Sequence, residues 1–204
     1  MGAQARRPGI EPFDPAWLEL GKQHAGEVSA ALAGARGSLG SVHHIGSTSV
    51  PGLPAKPFID LQATLLTLPD DASLLSVLEP LGFRSEGGAR PDSPGVHRDV
   101  PRWDRDAPPD VWRKALFTLG DPLTAGAVIL HVRRTDSPWA QWAIAFRDWL
   151  RAHDDERDRY AAVKAELMRA NAASGDFDDY TRAKTAYFDE VEPRVRAWRQ
   201  DRLP

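Results

Sequence analysis

The fold of this chain is constrained most by residues 42–62, which read VHHIGSTSVPGLPAKPFIDLQ. Two short apolar segments are separated there by a Gly-Ser pair and a loop with several prolines, a pattern that predicts strand, turn, loop and strand. Because side chains alternate along a strand, Asp60 and Gln62 share one face, opposite to Ile59 and Leu61. The stretch therefore predicts a carboxylate beside a hydroxyl-rich turn, which is the arrangement of a functional site.

Composition predicts a soluble globular protein. The chain has 204 residues, 42% of them hydrophobic, which is enough to form a buried core. With 26 basic and 29 acidic residues the net charge is -3, so a polynucleotide partner is not expected. There is no cysteine and no apolar stretch long enough to cross a bilayer. We expect a cytoplasmic protein that does not enter a membrane.

The remaining pattern predicts an α/β (α+β) core, residues 1–135, followed by a helical segment, residues 136–204. Residues 1–12 are expected to form a flexible arm, and residues 85–110 a long loop with one edge strand near 96–100. The other expected elements are a helix over 15–33, strands over 41–45 and 57–65, a short helix after Pro69, a strand at Phe83, strands over 112–118 and 127–133, and helices beginning near 138, 154 and 177.

The motif GSTSVPGL, followed by Lys56, Pro57 and Asp60, resembles the signature of the GrpB-like family, whose members are assigned to the nucleotidyltransferase fold. The resemblance covers nearly the whole chain. It implies a nucleotidyltransferase-like mixed β-sheet core with flanking helices and a C-terminal helical segment. Further matches are DPAW at 14–17, LHVR at 130–133, FRDWLR at 146–151, Tyr160 with Lys164, and Tyr180 with Lys184.

The Gly-Ser turn, residues 46–49, is expected to bind phosphate. A Gly-Ser turn holds phosphates in the nucleotidyltransferase fold, and Gly46 would allow a phosphate close to the backbone. The backbone N–H groups and hydroxyls of Ser47, Thr48 and Ser49 would then donate hydrogen bonds. The alternative is an ordinary tight turn without a ligand.

Basic residues near the turn are expected to complete the phosphate site. Lys56 precedes the second strand and is expected to neutralise a phosphate, the alternative being a surface lysine. The resemblance adds Lys114 and Arg133. Two interpretations of Lys184 remain open: a solvated lysine beside a packed tyrosine, or a residue that reaches the ligand. Lys164 is expected to be solvated.

Asp60 is the expected catalytic residue and the expected ligand of Mg²⁺ or Mn²⁺. Nucleotidyl transfer uses carboxylates to hold divalent ions, but this chain has Gln62 where the fold has its second acid and His131 where a third would stand. We expect Asp60→Ala to abolish metal-dependent nucleotide binding. A different metal site is the alternative, in which His44, Asp60 and His131 hold a transition metal.

Taken together, these residues predict a nucleotidyltransferase-type protein that binds a nucleoside triphosphate or other phosphorylated small molecule with Mg²⁺. The incomplete set of acids leaves enzymatic activity open. The alternatives are a non-catalytic module that binds nucleotide at a degenerate active site, and a His/Asp metal-binding protein. The sequence gives no oligomeric state.

Overall fold

The computed structural model describes residues 9–34, 37–88, 91–121, 124–171 and 178–202. It contains a mixed five-stranded sheet flanked by helices, which confirms the predicted fold class. The elements are α1 (Ala16–Leu32), β1 (Leu39–Ile45), β2 (Ile59–Leu65), α2 (Asp71–Leu78), β3 (Arg84–Ser85), β4 (Lys114–Leu119), β5 (Val128–Arg134), α3 (Pro138–Ala152), α4 (Asp154–Ala170) and α5 (Asp178–Gln200). Among the helices of the described residues, none is long and apolar enough to span a membrane.

The strands lie in the order β1-β2-β5-β4-β3. Strands β2 and β5 are parallel, and every other neighbouring pair is antiparallel. The register pairs Asp60 with Ile45 of β1 and Ile129 of β5, and it pairs Gln62 with His131. Since paired residues point to the same side, Asp60, Gln62 and His131 share one face of the sheet.

The opposite face of the sheet is apolar and holds the main core. Leu61, Leu65 and Val132 are completely buried there against α1 and α2. Helix α2 begins at a true N-cap, because the Asp70 side chain accepts a hydrogen bond from Ser73 N at 2.7 Å. The core therefore packs against the apolar face of β2 and β5, and their polar face is left for other contacts.

Helices α3, α4 and α5 form a second, aromatic cluster on the polar side. Trp142 stacks on Phe146 with ring centroids 5.3 Å apart, and Phe146 meets Tyr160 and Phe188 edge to face. Offset and edge-to-face contacts are the preferred geometries of such rings. Helix α5 continues through Pro193.

Most predicted elements lie within a few residues of their observed bounds, but the edge strand near 96–100 does not form. A single bridge between Arg98 and Arg113 takes its place. Most of the expected flexible arm, residues 1–8, and Phe177 at the expected start of the last helix lie outside the described residues.

Candidate functional site

A cavity of about 450 Å³ opens between the polar face of the sheet, the Gly-Ser turn and helices α3 to α5. We call it the cleft. Of the predicted site residues, those that line it are Gly46, Ser47, Thr48, Lys56, Asp60, Lys114, His131, Arg133 and Lys184. The structure therefore brings together most of the residues that the sequence selects, and it adds Lys164, Asp99 and an aromatic wall.

Gly46 makes room for the carboxylate of Asp60. Its backbone has φ 71° and ψ -172°, a conformation that is essentially restricted to glycine. A Cβ at this position would lie 2.4 Å from Asp60 Oδ2, well inside van der Waals contact. The sequence predicts that Gly46 allows a phosphate close to the backbone. In the structure a glycine is needed there because the Asp60 carboxylate occupies the space that a side chain would fill.

Two of the three turn hydroxyls donate hydrogen bonds within the fold. Thr48 is buried, and its Oγ1 donates to the Phe58 carbonyl oxygen at 2.8 Å. Ser49 is also buried, and its Oγ donates to the Gly46 carbonyl oxygen at 2.6 Å. These bonds stabilise the turn, so Ser47 is the hydroxyl that serves the cleft.

Ser47 is held by Lys164 of α4, a lysine that the sequence predicts to be solvated. Lys164 is only 2% exposed, and its Nζ donates to Ser47 Oγ at 3.1 Å and to the Pro54 carbonyl oxygen at 2.5 Å. Burial, together with the positive charge of Lys184, lowers the pKa of Lys164 to about 7. The amine therefore exists in both protonation states near neutral pH.

Asp60, His131 and Lys114 form a row across β2, β5 and β4. Lys114 Nζ lies 2.9 Å from His131 Nδ1, and His131 Nε2 lies 3.7 Å from Asp60 Oδ1. Burial lowers the pKa of His131 well below its usual value, with the charges of Lys114 and Arg133 acting in the same direction. The imidazole is therefore neutral at pH 7, and its Nδ1 accepts from Lys114, which places its proton on Nε2.

Asp60 keeps 29% of its side chain accessible at the wall of the cleft. Burial raises its pKa to about 6, against the opposing influence of four cations, Lys184, Lys114, Lys56 and Arg133. Burial also lowers the pKa of Lys114 to about 8, although Asp99 and Asp60 favour its charged form. The cleft therefore contains ionisable groups that exchange protons close to neutral pH.

Asp99 is a site residue that sequence reasoning missed. It lies in the loop before β4, is 3% exposed, and accepts two hydrogen bonds from Arg133, from Nε at 2.7 Å and from Nη2 at 2.9 Å. Burial alone would raise its pKa, but Arg133 and Lys114 hold it below the usual range. The loop has no periodicity, and the sequence around Asp99, VHRDV at residues 96–100, gives no signal that selects it.

Arg133 uses three of its five N–H groups in bonds to Asp99 and Gln62. Its third bond runs from Nη1 to Gln62 Oε1 at 3.0 Å, and Gln62 Nε2 donates to the Ala140 carbonyl oxygen at 3.1 Å. All three groups of the guanidinium are thus engaged by protein acceptors. Arg133 and Gln62 hold the sheet against α3, and Arg133 also lines the cleft and contributes its charge to it.

Lys56 and Lys184 face each other across Tyr180 on α5. Lys56 Nζ lies 3.9 Å from the centroid of the Tyr180 ring, and Lys184 Nζ lies 4.7 Å from it. Burial lowers the pKa of Lys184, whereas the charge of Asp60 raises it. Of the two alternatives left open by the sequence, the structure therefore favours a Lys184 that lies in the cleft.

His44 lies away from Asp60 and His131, which corrects the predicted trio. The register pairs His44 with Leu61, so its side chain lies on the apolar face, against Gly21 of α1. Its Nε2 is 3.0 Å from Thr48 Oγ1, and burial with the charges of Arg151 and Arg147 lowers its pKa to about 4. His44 packs behind the turn and cannot share a metal with His131.

The residues that line the cleft do not fit a resident Mg²⁺ or Mn²⁺ ion. Within the described residues, no group of three or more His, Cys, Asp or Glu side chains is arranged to hold a metal. Asp60 is surrounded by cations, and Asp99 is bonded to Arg133. A dication needs several oxygen ligands to replace its hydration, and nearby ammonium groups repel it.

An aromatic wall completes the cleft opposite the sheet. Three tryptophans, Trp112, Trp142 and Trp149, are buried. Trp139, Trp142, Phe146 and Phe188 nevertheless also line the cavity. One side of the cleft thus suits an anion, and the other suits an apolar or aromatic group.

Known proteins resemble this chain over nearly its whole length. A sequence model of the GrpB protein family matches residues 7–194. A UPF0157 protein from Streptomyces coelicolor is 30% identical over 199 residues, covering 98% of this chain and 90% of the relative. A dephospho-CoA kinase from Mycolicibacterium paratuberculosis is 32% identical over 200 residues, which are 95% of this chain. The chain spans only 47% of that kinase.

The fold has a counterpart among solved structures. The crystal structure of the conserved protein GrpB from Enterococcus faecalis superimposes with a TM-score of 0.68. The alignment covers 93% of this chain and 99% of that one, at 22% sequence identity. The likeness at this identity concerns the fold.

Proposed function

The chain belongs to the GrpB family, and we propose that it binds a nucleotide or another phosphorylated small molecule in the cleft without a resident metal ion. The observation that carries the proposal is the convergence of four cations on the single carboxylate of Asp60. Such a concentration of positive charge in an enclosed site favours an anion with several oxygen acceptors.

The charge balance around Asp60 supports phosphate. Asp99 is bonded to Arg133 and lies 3.6 Å from Lys114, while Lys184 and Lys56 also act on Asp60. The charged side chains of the lining are the cations Lys56, Lys114, Arg133, Arg147, Lys164 and Lys184 and the acids Asp60, Glu86, Asp99 and Asp178. A phosphate beside Asp60 would thus face an excess of ammonium groups, with the Ser47 hydroxyl as a further donor.

The aromatic wall supports a ligand that also has an apolar or aromatic body. Trp139, Phe146 and Phe188 line the cleft together with the lysines. Stacking on such side chains contributes about 1–3 kcal/mol per base in nucleic-acid-binding proteins. A nucleotide combines both features, since its base is aromatic and its phosphates are anionic.

Thermal unfolding of the protein in EDTA tests the proposal. The ligands are ATP, GTP, CTP, UTP and inorganic phosphate, each before and after Mg²⁺ is added in excess. A ligand at a hundred times its dissociation constant stabilises the folded state by about 2.7 kcal/mol, a readily measured shift. We expect a shift in EDTA with at least one nucleotide.

Two lysine variants provide the control. Lys184→Met should reduce the shift, whereas Lys22→Met, an exposed lysine of α1 behind the sheet, should leave it unchanged. A shift that appears only with Mg²⁺ would show that the metal-free site is wrong and that Asp60 is a metal ligand. If no phosphorylated compound shifts the midpoint, phosphate binding itself is wrong.

A further inference from the structure

Ser47 and Lys164 form a pair whose geometry is that of a nucleophile and its base. The two atoms, Ser47 Oγ and Lys164 Nζ, are 3.1 Å apart, and both residues line the cleft. Tyr160, one helical turn before Lys164, also lines the cleft, and its ring centroid lies 5.0 Å from Lys164 Nζ. A serine hydroxyl within hydrogen-bond reach of a buried amine, at the wall of an anion site, has the arrangement of a nucleophile beside its base.

The protonation state of Lys164 suits a base. Burial and Lys184 from α5 bring its pKa to about 7, and the other side chains facing it are Tyr160 on its own helix and Ser47 on the turn. When neutral, the amine can donate to the Pro54 carbonyl oxygen and accept the proton of the Ser47 hydroxyl with its lone pair. A permanently charged lysine could not do this.

We infer that Ser47 is a catalytic nucleophile that takes the phosphoryl group of a bound phosphate ester, with Lys164 as its general base. The inference rests on the proposed function for the position of the phosphate. The cations around Asp60 would stabilise the charge of the transferring group, which is the main requirement of phosphoryl transfer. The aromatic wall would hold the apolar part of the ester.

The step balances as follows. Ser47 Oγ bonds to phosphorus while the ester P–O bond breaks, and the hydroxyl proton passes to Lys164 Nζ and then to the departing alkoxide. The products are phosphoserine 47 and an alcohol. Water then attacks phosphorus and gives one proton to Lys164, the Oγ–P bond breaks, and Lys164 returns the proton to Ser47. The second half releases inorganic phosphate and restores the enzyme.

The test uses p-nitrophenyl phosphate, which combines a phosphate with an aromatic leaving group. The protein in EDTA is mixed with the compound, p-nitrophenolate release is followed, and acid-quenched samples are examined by intact mass and peptide mapping. We expect the release of p-nitrophenolate to depend on Ser47. When hydrolysis of phosphoserine 47 is the slower step, one phosphoryl group should be found on Ser47. The rate should rise with pH through about 7, as Lys164 loses its proton.

Variants separate the base from the anion site. Ser47→Ala should abolish release, while Ser76→Ala, a serine of α2 behind the sheet, should leave it unchanged. Lys164→Arg keeps the positive charge but cannot accept a proton, so release should fall about 100-fold or more while phosphate binding persists. Because a buried arginine can disturb packing, Lys164→Met is measured beside it, with thermal unfolding of both variants as the check on folding.

Each result has one meaning. Release that persists in Ser47→Ala, or a label on another residue, overturns the nucleophile. Binding of p-nitrophenyl phosphate without release overturns this inference and leaves the proposed function standing. If p-nitrophenyl phosphate does not bind, as measured by the unfolding midpoint, this inference is overturned. The proposed function is overturned as well only when no nucleotide and no inorganic phosphate shifts the midpoint.

Discussion

The carboxylate of Asp99 accepts both of its strongest hydrogen bonds from Arg133, at 2.7 and 2.9 Å, and both side chains are almost wholly buried. Lys114 Nζ lies 3.6 Å from the same carboxylate. One acid from an irregular loop thus neutralises two strand cations under the cleft. The loop is attached to the sheet at this point, which places it at the edge of the site.

We expect Asp99→Asn to destabilise the protein by about 3–5 kcal/mol, because the change leaves Arg133 buried without its counter-ion. The measurement is the free energy of unfolding from urea titration. Asp136→Asn is the matched control, since Asp136 pairs with Arg134 at the surface, where such a pair contributes about 0–1 kcal/mol. Equal losses in the two variants would contradict the prediction.

Asp60 should make stability depend on pH. Its pKa is about 6 in the folded protein against an ordinary 3.8, so the folded state binds the proton more tightly. Its contribution therefore favours folding at low pH and is lost as pH rises from about 4 through 6. We expect Asp60→Asn, which stays neutral, to raise the unfolding midpoint above pH 6 and to lose this advantage near pH 4. A gain that is the same at every pH would contradict this.

The same variant distinguishes a metal ligand from an acid within an anion site. We expect Asp60→Asn to strengthen binding of inorganic phosphate in EDTA by roughly tenfold, about 1.4 kcal/mol, because a like charge is removed. Isothermal titration calorimetry measures the change. If Asp60 instead holds Mg²⁺ for a nucleotide, the variant should bind more weakly, and only in the presence of the metal.

Gly46→Ala should be costly at the turn. The backbone conformation alone costs about 1–3 kcal/mol for a residue with a Cβ, and the new methyl group would displace the Asp60 carboxylate. We expect loss of stability by urea titration together with loss of phosphate binding.

Gly26→Ala is the matched control for Gly46→Ala. A Cβ at residue 26, within α1, meets nothing within 4 Å. The substitution should stabilise the protein by roughly 0.5–1 kcal/mol, since alanine favours the helix. A comparable loss at both glycines would show that the turn has no special requirement.

The sequence by itself determined the sheet faces and the turn. Alternation along β2 placed Asp60 and Gln62 on one face, and the register of the sheet adds His131 and Arg133 of β5 to it. The reason is local, because the pleat of a strand fixes which side chains share a face. The helices followed from apolar spacing and caps in the same way, as at Ser137, whose Oγ accepts from Ala140 N.

Only the tertiary structure decided which groups are buried, paired and chemically tuned. His44 has the right spacing from the turn, but antiparallel pairing with Leu61 turns it to the other face from Asp60. Asp99 reaches Arg133 from a loop without periodicity, and Lys164 reaches Ser47 from a helix more than a hundred residues later. Burial and long-range partners set the pKa and the role of a side chain, and neither is written in the local pattern of the chain.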